Sequence, residues 1–415
     1  MLYKTFQKTR WQYWLKSWLK IDWFLLICVV GMTALGGLMI HSTELNQVAP
    51  RSYLHWLIGT VGFVISLVIA RFPYQLFLPF HWLTYALTNF ALLAVIFLGR
   101  TVNGAQSWIS LGGFNLQPSE FAKVGLIITL AALLHKQDAS SLKGCLRILI
   151  VTAIPWVLIM AQPDLGTGLV LAAITLGMLF WANINPGWLL LLISPLVSAI
   201  LFNTYFPAWL FWAIAVTVIA WFSLPWKGFA ALSTCLGNIF AGQAGHILWN
   251  LLKPYQKDRL TLFLNPEKDP LGGGYHLIQS RIAISSGEIW GKGLFHGSQT
   301  QLNFIPEQHT DFIFSVVGEE LGLVGCLAVI TLIWLICLRL IYIACTAKEN
   351  FGSLLAIGVV TMIAFQSALN ISMTIGLAPI TGIPLPFMSY GGSSLLTNFI
   401  AIGIVVSVAN HRAKK

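Results

Sequence analysis

The chain has 415 residues, of which 57% are hydrophobic and 9% charged, with a mean hydropathy of +0.78 and a formal net charge of +10. Soluble domains carry about 25% charged residues, so the composition excludes a water-soluble globular protein; the main solvent is lipid. The basic residues sit mostly at the ends of apolar runs and are not patterned on one face, which suits anionic headgroups and membrane topology and excludes nucleic acid as a partner.

Residues 1–20 form a basic, aromatic lead with Lys4, Lys8, Arg10, Lys16 and Lys20, expected on the cytoplasmic side. The apolar run that follows is long enough to be retained as a signal anchor. A membrane span needs about 20 apolar residues. Runs that meet this, within several residues, lie at 21–40, 53–70, 76–98, 119–134, 146–161, 165–181, 188–202, 208–222, 228–249, 312–341, 354–375 and 394–408. Residues 21–415 are therefore expected to form one all-α, polytopic transmembrane helical bundle of about twelve spans. The one long polar insert, 250–310, becomes a large extracytoplasmic loop. Short loops rich in Lys and Arg, around Lys136, Lys143 and Arg147, around Lys227, at Lys348 and at Arg412, Lys414 and Lys415, fall on the side of the lead if spans alternate. Both termini are then cytoplasmic. Many of the 17 Trp sit at expected span ends, as an interfacial belt would place them. The six Cys lie in or beside apolar runs without a Cys-x-x-Cys pair, so neither a disulfide framework nor a zinc site is indicated.

The polar loop carries the first candidate. Asp269 stands before Pro270, Gly272, Gly273 and Gly274, a rigid approach followed by a permissive backbone. It is either a plain Asp-Pro turn or a carboxylate to which a ligand can come close. Residues 275–286 place Tyr275, Ile278 and Ile282 at helical spacing, with Gln279 and Arg281 on other faces. The segment is either a loop helix packed on the bundle or the floor of a groove in which Lys268, Arg281 and Lys292 meet phosphate oxygens. Glu120, Lys123, Asp164, Glu319 and Glu320 sit in or at the edge of spans, where charge is expensive and function the default suspicion. Glu120 and Lys123 are three apart on one helical face and can pair. Asp164 can cap the next helix. At least one of Glu319 and Glu320 must face the protein interior. His309 and Asp311 enter the tenth span, Asp311 near enough to the helix start to be favoured by capping and dipole. No phosphate-binding loop, nucleophile elbow or zinc-protease motif is present.

Four blocks together resemble the shape, elongation, division and sporulation (SEDS) family of membrane glycosyltransferases. They are Gln117-Pro118-Ser119-Glu120-Phe121-Ala122-Lys123; Gln162-Pro163-Asp164-Leu165-Gly166-Thr167; Asp269-Pro270-Leu271-Gly272 through His296-Gly297-Ser298-Gln299 and His309-Thr310-Asp311 to Glu319-Glu320; and Asn370 through Pro386 to Ser389-Tyr390-Gly391-Gly392-Ser393-Ser394. The His296–Glu307 run is more similar to the family's elongation branch than to its division branch. The family core has ten spans; this chain has room for an extra pair between 185 and 250.

The resemblance implies a peptidoglycan glycosyltransferase that joins lipid II units with release of undecaprenyl pyrophosphate, serving elongation and rod shape, in a bacterial plasma membrane with the site facing outward. It implies Asp269 as the general base. It also implies that Glu120, Lys123, Lys268, Tyr275, Gln279, Arg281, Lys292, His309, Asp311 and Glu319 bind substrate or line the site. A leaving pyrophosphate needs charge neutralisation, not a second carboxylic acid, so one carboxylate plus cations, with or without a divalent ion (Mg or Mn), is a sufficient kit. The implied partners are a class B penicillin-binding transpeptidase and other membrane proteins of an elongation complex. A lipid II transporter, a division-branch polymerase and a non-catalytic scaffold stay open as alternatives at this point.

Overall fold

The computed structural model describes residues 21–45, 52–102, 105–111, 114–136, 142–224, 227–251, 257, 262–263, 265–270, 272 and 274–411. The basic lead, Leu271, Gly273 and the C-terminal basic tail lie outside the described residues.

Each of the twelve expected runs forms a helix. In chain order they are α1 (Trp23–Thr43), α2 (Ser52–Ile69), α3 (His81–Leu98), α4 (Pro118–Lys136), α5 (Leu142–Met160), α6 (Leu165–Trp181), α7 (Pro186–Thr204), α8 (Phe206–Ser223) and α9 (Lys227–Leu251). After the polar loop, with its short helices α10 (Tyr275–Ser286) and α11 (Ser298–Gln301), come α12 (Ile313–Thr346), α13 (Asn350–Ile375) and α14 (Gly392–Asn410). An apolar run takes this form in lipid because a helix satisfies its own N–H and C=O groups. Nine of these helices are long and apolar enough to cross a membrane among the described residues; Gly144–Met160 and Leu165–Trp181 are apolar but shorter.

Local chemistry sets the ends. Asp22 caps α1 by accepting from Leu25 N at 3.3 Å. Asn185 accepts from Gly187 N at 2.8 Å ahead of Pro186, a residue suited to a first helical turn. Gly376, at φ +81°, closes α13 in the left-handed conformation that glycine adopts without strain.

The helical bundle carries one small addition that is not helical. Between α3 and α4 runs a three-stranded antiparallel sheet, β1 (Arg100–Val102), β2 (Ala105–Leu111) and β3 (Phe114–Leu116), in the order β1-β2-β3. The dipeptides between the strands, Asn103-Gly104 and Gly112-Gly113, are the two-residue hairpin signal that the apolar-run reading passed over.

Helices α4, α13 and α14 are buried along most of their length and form the centre. Close approach there uses small residues: a Cβ on Gly358 of α13 would stand 2.6 Å from Ile127 of α4. The extra pair of helices joins α7, α8 and α9 into a three-helix unit at the margin, packed chiefly on itself and reaching the rest mainly through α6. Its interior is polar as well as apolar. Trp209 Nε1 donates to Ser198 Oγ at 2.6 Å, and Ser198 Oγ donates to the carbonyl of Asn238 at 2.9 Å. This gives 208–222 a place that the sequence alone left unexplained.

Candidate active site

Polar stretches far apart in the chain meet at one end of the bundle. Gln117, just before α4, donates through Nε2 to Asp164 Oδ2 at 3.2 Å, and Ser119 Oγ stands 3.4 Å from the same oxygen. Gln117 N donates to Ser393 Oγ at 2.9 Å, and Ser393 Oγ donates to the carbonyl of Asn115 on β3 at 3.1 Å. The sheet is thereby tied to the first turns of α4 and α14. Tyr390 N donates to the carbonyl of His309 at 2.8 Å. Asn370 Nδ2 bridges the carbonyls of Asp311 and Ile383, at 2.8 Å each. The N-termini of α4, α6 and α14 therefore open onto one region, and their dipoles supply partial positive charge to it.

Within that region Lys123 Nζ lies 2.8 Å from Glu120 Oε2, and both residues are buried, at 1% and 2% exposure. The pair expected from the i, i+3 spacing is formed. Asp164 caps α6 as expected, accepting from Thr167 N at 3.0 Å and from Thr167 Oγ1 at 2.8 Å. Burial pushes its carboxyl above the usual Asp range, while the bonds from Thr167 pull it down and the Glu120 charge adds a smaller upward push.

Glu319 and Glu320 are both fully buried. Glu319 accepts from Gln299 N and Thr300 N at 2.9 Å each, from Thr300 Oγ1 at 2.7 Å and from Lys292 Nζ at 3.0 Å. Glu320 accepts from the hydroxyl of Ser42 at the end of α1 and from Phe295 N at 3.2 Å. The two carboxylates are pegs on which the loop stretch 292–301 hangs. Next to them α12 is broken. Gly322 has φ +64° and ψ −160°, so Leu323 N and Val324 N turn away from the helix and donate to the carbonyls of Glu288 and Ile289. The carbonyls of Glu319 and Glu320, left open, accept from Lys292 N and Gly293 N at 3.0 Å each. Two helix hydrogen bonds, Leu323 N to Glu319 and Val324 N to Glu320, are exchanged for four bonds to the loop. The contact needs glycine on both sides, since a Cβ on Gly322 would stand 2.3 Å from Gly291 N and one on Gly291 2.1 Å from the carbonyl of Glu320.

Asp269 is exposed in a tight turn. Its Oδ1 accepts from Gly272 N at 3.1 Å, and its carbonyl accepts from Gly274 N at 3.0 Å. A Cβ on Gly272 would fall 2.2 Å from Asp269 Oδ2, so a larger residue there would push the carboxylate out of its present position. Lys268 is exposed beside it. The turn feeds α10, which packs on α12 and α13 through Leu277, Ser280 and Ala283. The stripe expected to pack, Tyr275, Ile278 and Ile282, is half-buried at its first two members and exposed at the third. Gln279 is half-buried. Ser280 Oγ bonds Ser315 Oγ at 2.6 Å and the carbonyl of Thr374 at 2.7 Å. Arg281 lies against Gly376, donating through Nη2 to its carbonyl at 3.2 Å.

Two expectations change with these partners. Lys292 is already paired with Glu319, so it meets a phosphate only as part of a neutral pair. Asp311 does not cap α12: the N-cap is Phe312, without a side-chain bond. The His309 ring instead lies 5.7 Å from the Tyr390 ring. Sequence reasoning did not single out Gln117, Ser42, Asn370 or Ser393 as site residues. Buried amides and hydroxyls inside apolar runs were the available signal.

Fold and site together define a polytopic membrane protein whose polar groups converge on one end of a helical bundle. A family model described as cell cycle protein, covering FtsW, RodA and SpoVE, matches residues 22–210 and 196–414, and the chain belongs to that family. It is 37% identical to the peptidoglycan glycosyltransferase RodA of Treponema pallidum, over 93% of this chain and 97% of that one. It is 36% identical to the peptidoglycan glycosyltransferase MrdB of Escherichia coli K12, over 85% of this chain and 84% of that one. A solved structure on the coordination of polymerization and crosslinking by a peptidoglycan synthase complex superposes with a TM-score of 0.72 at 26% identity, over 95% of this chain and 99% of that chain. The crystal structure of Thermus thermophilus RodA shares the fold, with a TM-score of 0.62 at 23% identity over 96% and 99%.

Proposed function

We propose that this chain is a peptidoglycan glycosyltransferase that polymerises lipid II into glycan strands, releasing undecaprenyl pyrophosphate, in the service of cell elongation. The carrying observation is the convergence of its family blocks on one end of the bundle, in a chain similar over most of its length to two named peptidoglycan glycosyltransferases.

The geometry supports the following division of labour. A sugar hydroxyl of the acceptor attacks the anomeric carbon of the donor and must lose a proton. Asp269, exposed and held at a turn, is the base in this reading. The lipid pyrophosphate leaves with its electrons and needs positive potential. Arg281 keeps donors beyond the one used on Gly376, and the three helix N-termini add theirs. The Glu120–Lys123 pair and Asp164 hold the shape of the region. Among the described residues no three His, Cys, Asp or Glu come together. A Mg or Mn ion would therefore be held largely by the pyrophosphate with one or two carboxylates, as Mg usually is.

In this reading the site faces outward and both termini face the cytoplasm of a bacterial plasma membrane. The partner is a class B penicillin-binding transpeptidase, together with other membrane proteins of the elongation complex and the surrounding lipids. The test is polymer formation from lipid II by purified protein, with and without that transpeptidase and with and without a chelator. Leaflet exchange of lipid II without polymer would replace this reading with transport.

A further inference from the structure

The segment 287–293, spliced into the break of α12, carries two large apolar side chains outward. Trp290 is 79% exposed and Ile289 56%. On a surface in water both would be costly to display. They are level with the turn at which α12 begins its outward apolar face, because the carbonyl of Ile289 accepts from Val324 N. Leu323, Val324 and Leu327 continue the exposed apolar surface, at 52%, 45% and 53%. That face belongs to a helix long and apolar enough to cross a membrane, for which acyl chains are the fitting surroundings.

Irregular backbone is tolerated at that depth only when its polar groups are paired. Here much of the backbone on either side of Ile289 and Trp290 is paired. The carbonyls of Glu288 and Ile289 and the N–H groups of Lys292 and Gly293 bond to α12, and Gly291 N donates to the carbonyl of Gly287 at 2.7 Å. The flanking polar side chains, Glu288 and Lys292, are exposed, as residues at headgroup level would be. Trp is the residue most at home at such a boundary.

We propose that 287–293 is a membrane-immersed wedge, with Ile289 and Trp290 inserted among phospholipid acyl chains of the leaflet on the site's side. Its occupant is bulk phospholipid, recognised by apolar contact. The inference does not rest on the polymerase reading, because its readout is a lipid contact and not a product. The wedge ties the stretch that carries Lys292 and the loop bonds of Glu319 to the bilayer surface, so the outer loop keeps a fixed height above the membrane.

The test places the photoreactive amino acid p-benzoylphenylalanine at position 290 of the full chain, reconstituted in phosphatidylethanolamine–phosphatidylglycerol vesicles. Position 327 serves as the lipid-facing reference. Irradiation should give an adduct heavier by one phospholipid at 290, in yield within about twofold of that at 327. Position 289, probed separately, should behave alike, so that poor folding of one variant does not decide the matter. Absence of a phospholipid adduct at both positions, with the reference labelled, overturns the proposal. Cross-links from 289 and 290 only to protein also overturn it and mark the patch as an interface between polypeptides.

Discussion

Asp269 and Glu120 are both carboxylates at the site end of the bundle, yet one is exposed on a glycine turn and the other is 2% exposed on α4 with Lys123 at 2.8 Å. A buried ion pair has its geometry fixed by the cost of separating it. An exposed carboxylate can meet a substrate and take a proton at little cost. In the proposed reading the two regions separate the tasks of holding shape and doing chemistry. Glu319 belongs with the first, since every acceptor position the structure shows on it is turned to the loop it supports.

This contrast breaks first at Asp269. Asp269→Asn should lower polymer formation by about 10²–10⁴, the usual worth of a positioned base, and leave the Tm of the purified protein unchanged. A normal polymer yield would remove Asp269 from the chemistry. Lys123→Met should do the opposite in kind. It leaves a buried carboxylate unpaired, a change worth about 3–5 kcal/mol of stability, to be read in thermal unfolding in detergent. The double variant Glu120→Gln, Lys123→Met should recover most of that stability; if it also recovers full turnover, the pair is structural only. Glu319→Gln comes next. It weakens charge-assisted bonds and strands Lys292, with an expected loss of about 2 kcal/mol and faster proteolysis within 292–301.

The smallest effect is expected at Asp164. Its folded carboxyl titrates above the ordinary value, so the folded state favours the protonated form. Stability from this group is present below about pH 3.9, the unfolded Asp value, and is lost as pH rises through the folded value. Asp164→Asn keeps an oxygen for Thr167 N and removes the charge. It should hold the Tm within a few degrees and flatten its decline with rising pH; an unchanged pH profile would show that the carboxyl is ionised throughout.

Much of the scaffold was legible in the sequence, because twelve apolar runs in a chain with 9% charge have little choice but to be helices. The sheet was not, since β1 and β3 span three residues each and carry no apolar run to mark them. For the site, spacing alone gave the Glu120–Lys123 pair and the cap at Asp164, both local to one helix end. What the sequence withheld was every partner at long range. At least one of Glu319 and Glu320 had to face the interior, yet nothing near Glu320 names Ser42, which lies on the first helix. The break at Gly322 was equally silent, because a glycine inside an apolar run is ordinary in membrane helices. The partners that make it a junction are some thirty residues upstream.

That junction has a consequence for how the molecule breathes. The amides of Lys292, Gly293, Leu323 and Val324 share one set of crossed bonds, so none can open to solvent without loosening the others. In amide-exchange measurements they should swap deuterium as a group, at a rate distinct from the membrane-buried remainder of α12. The seam at Gly322 would then be visible in time as it is in space, dividing one continuous rod into two kinetic halves.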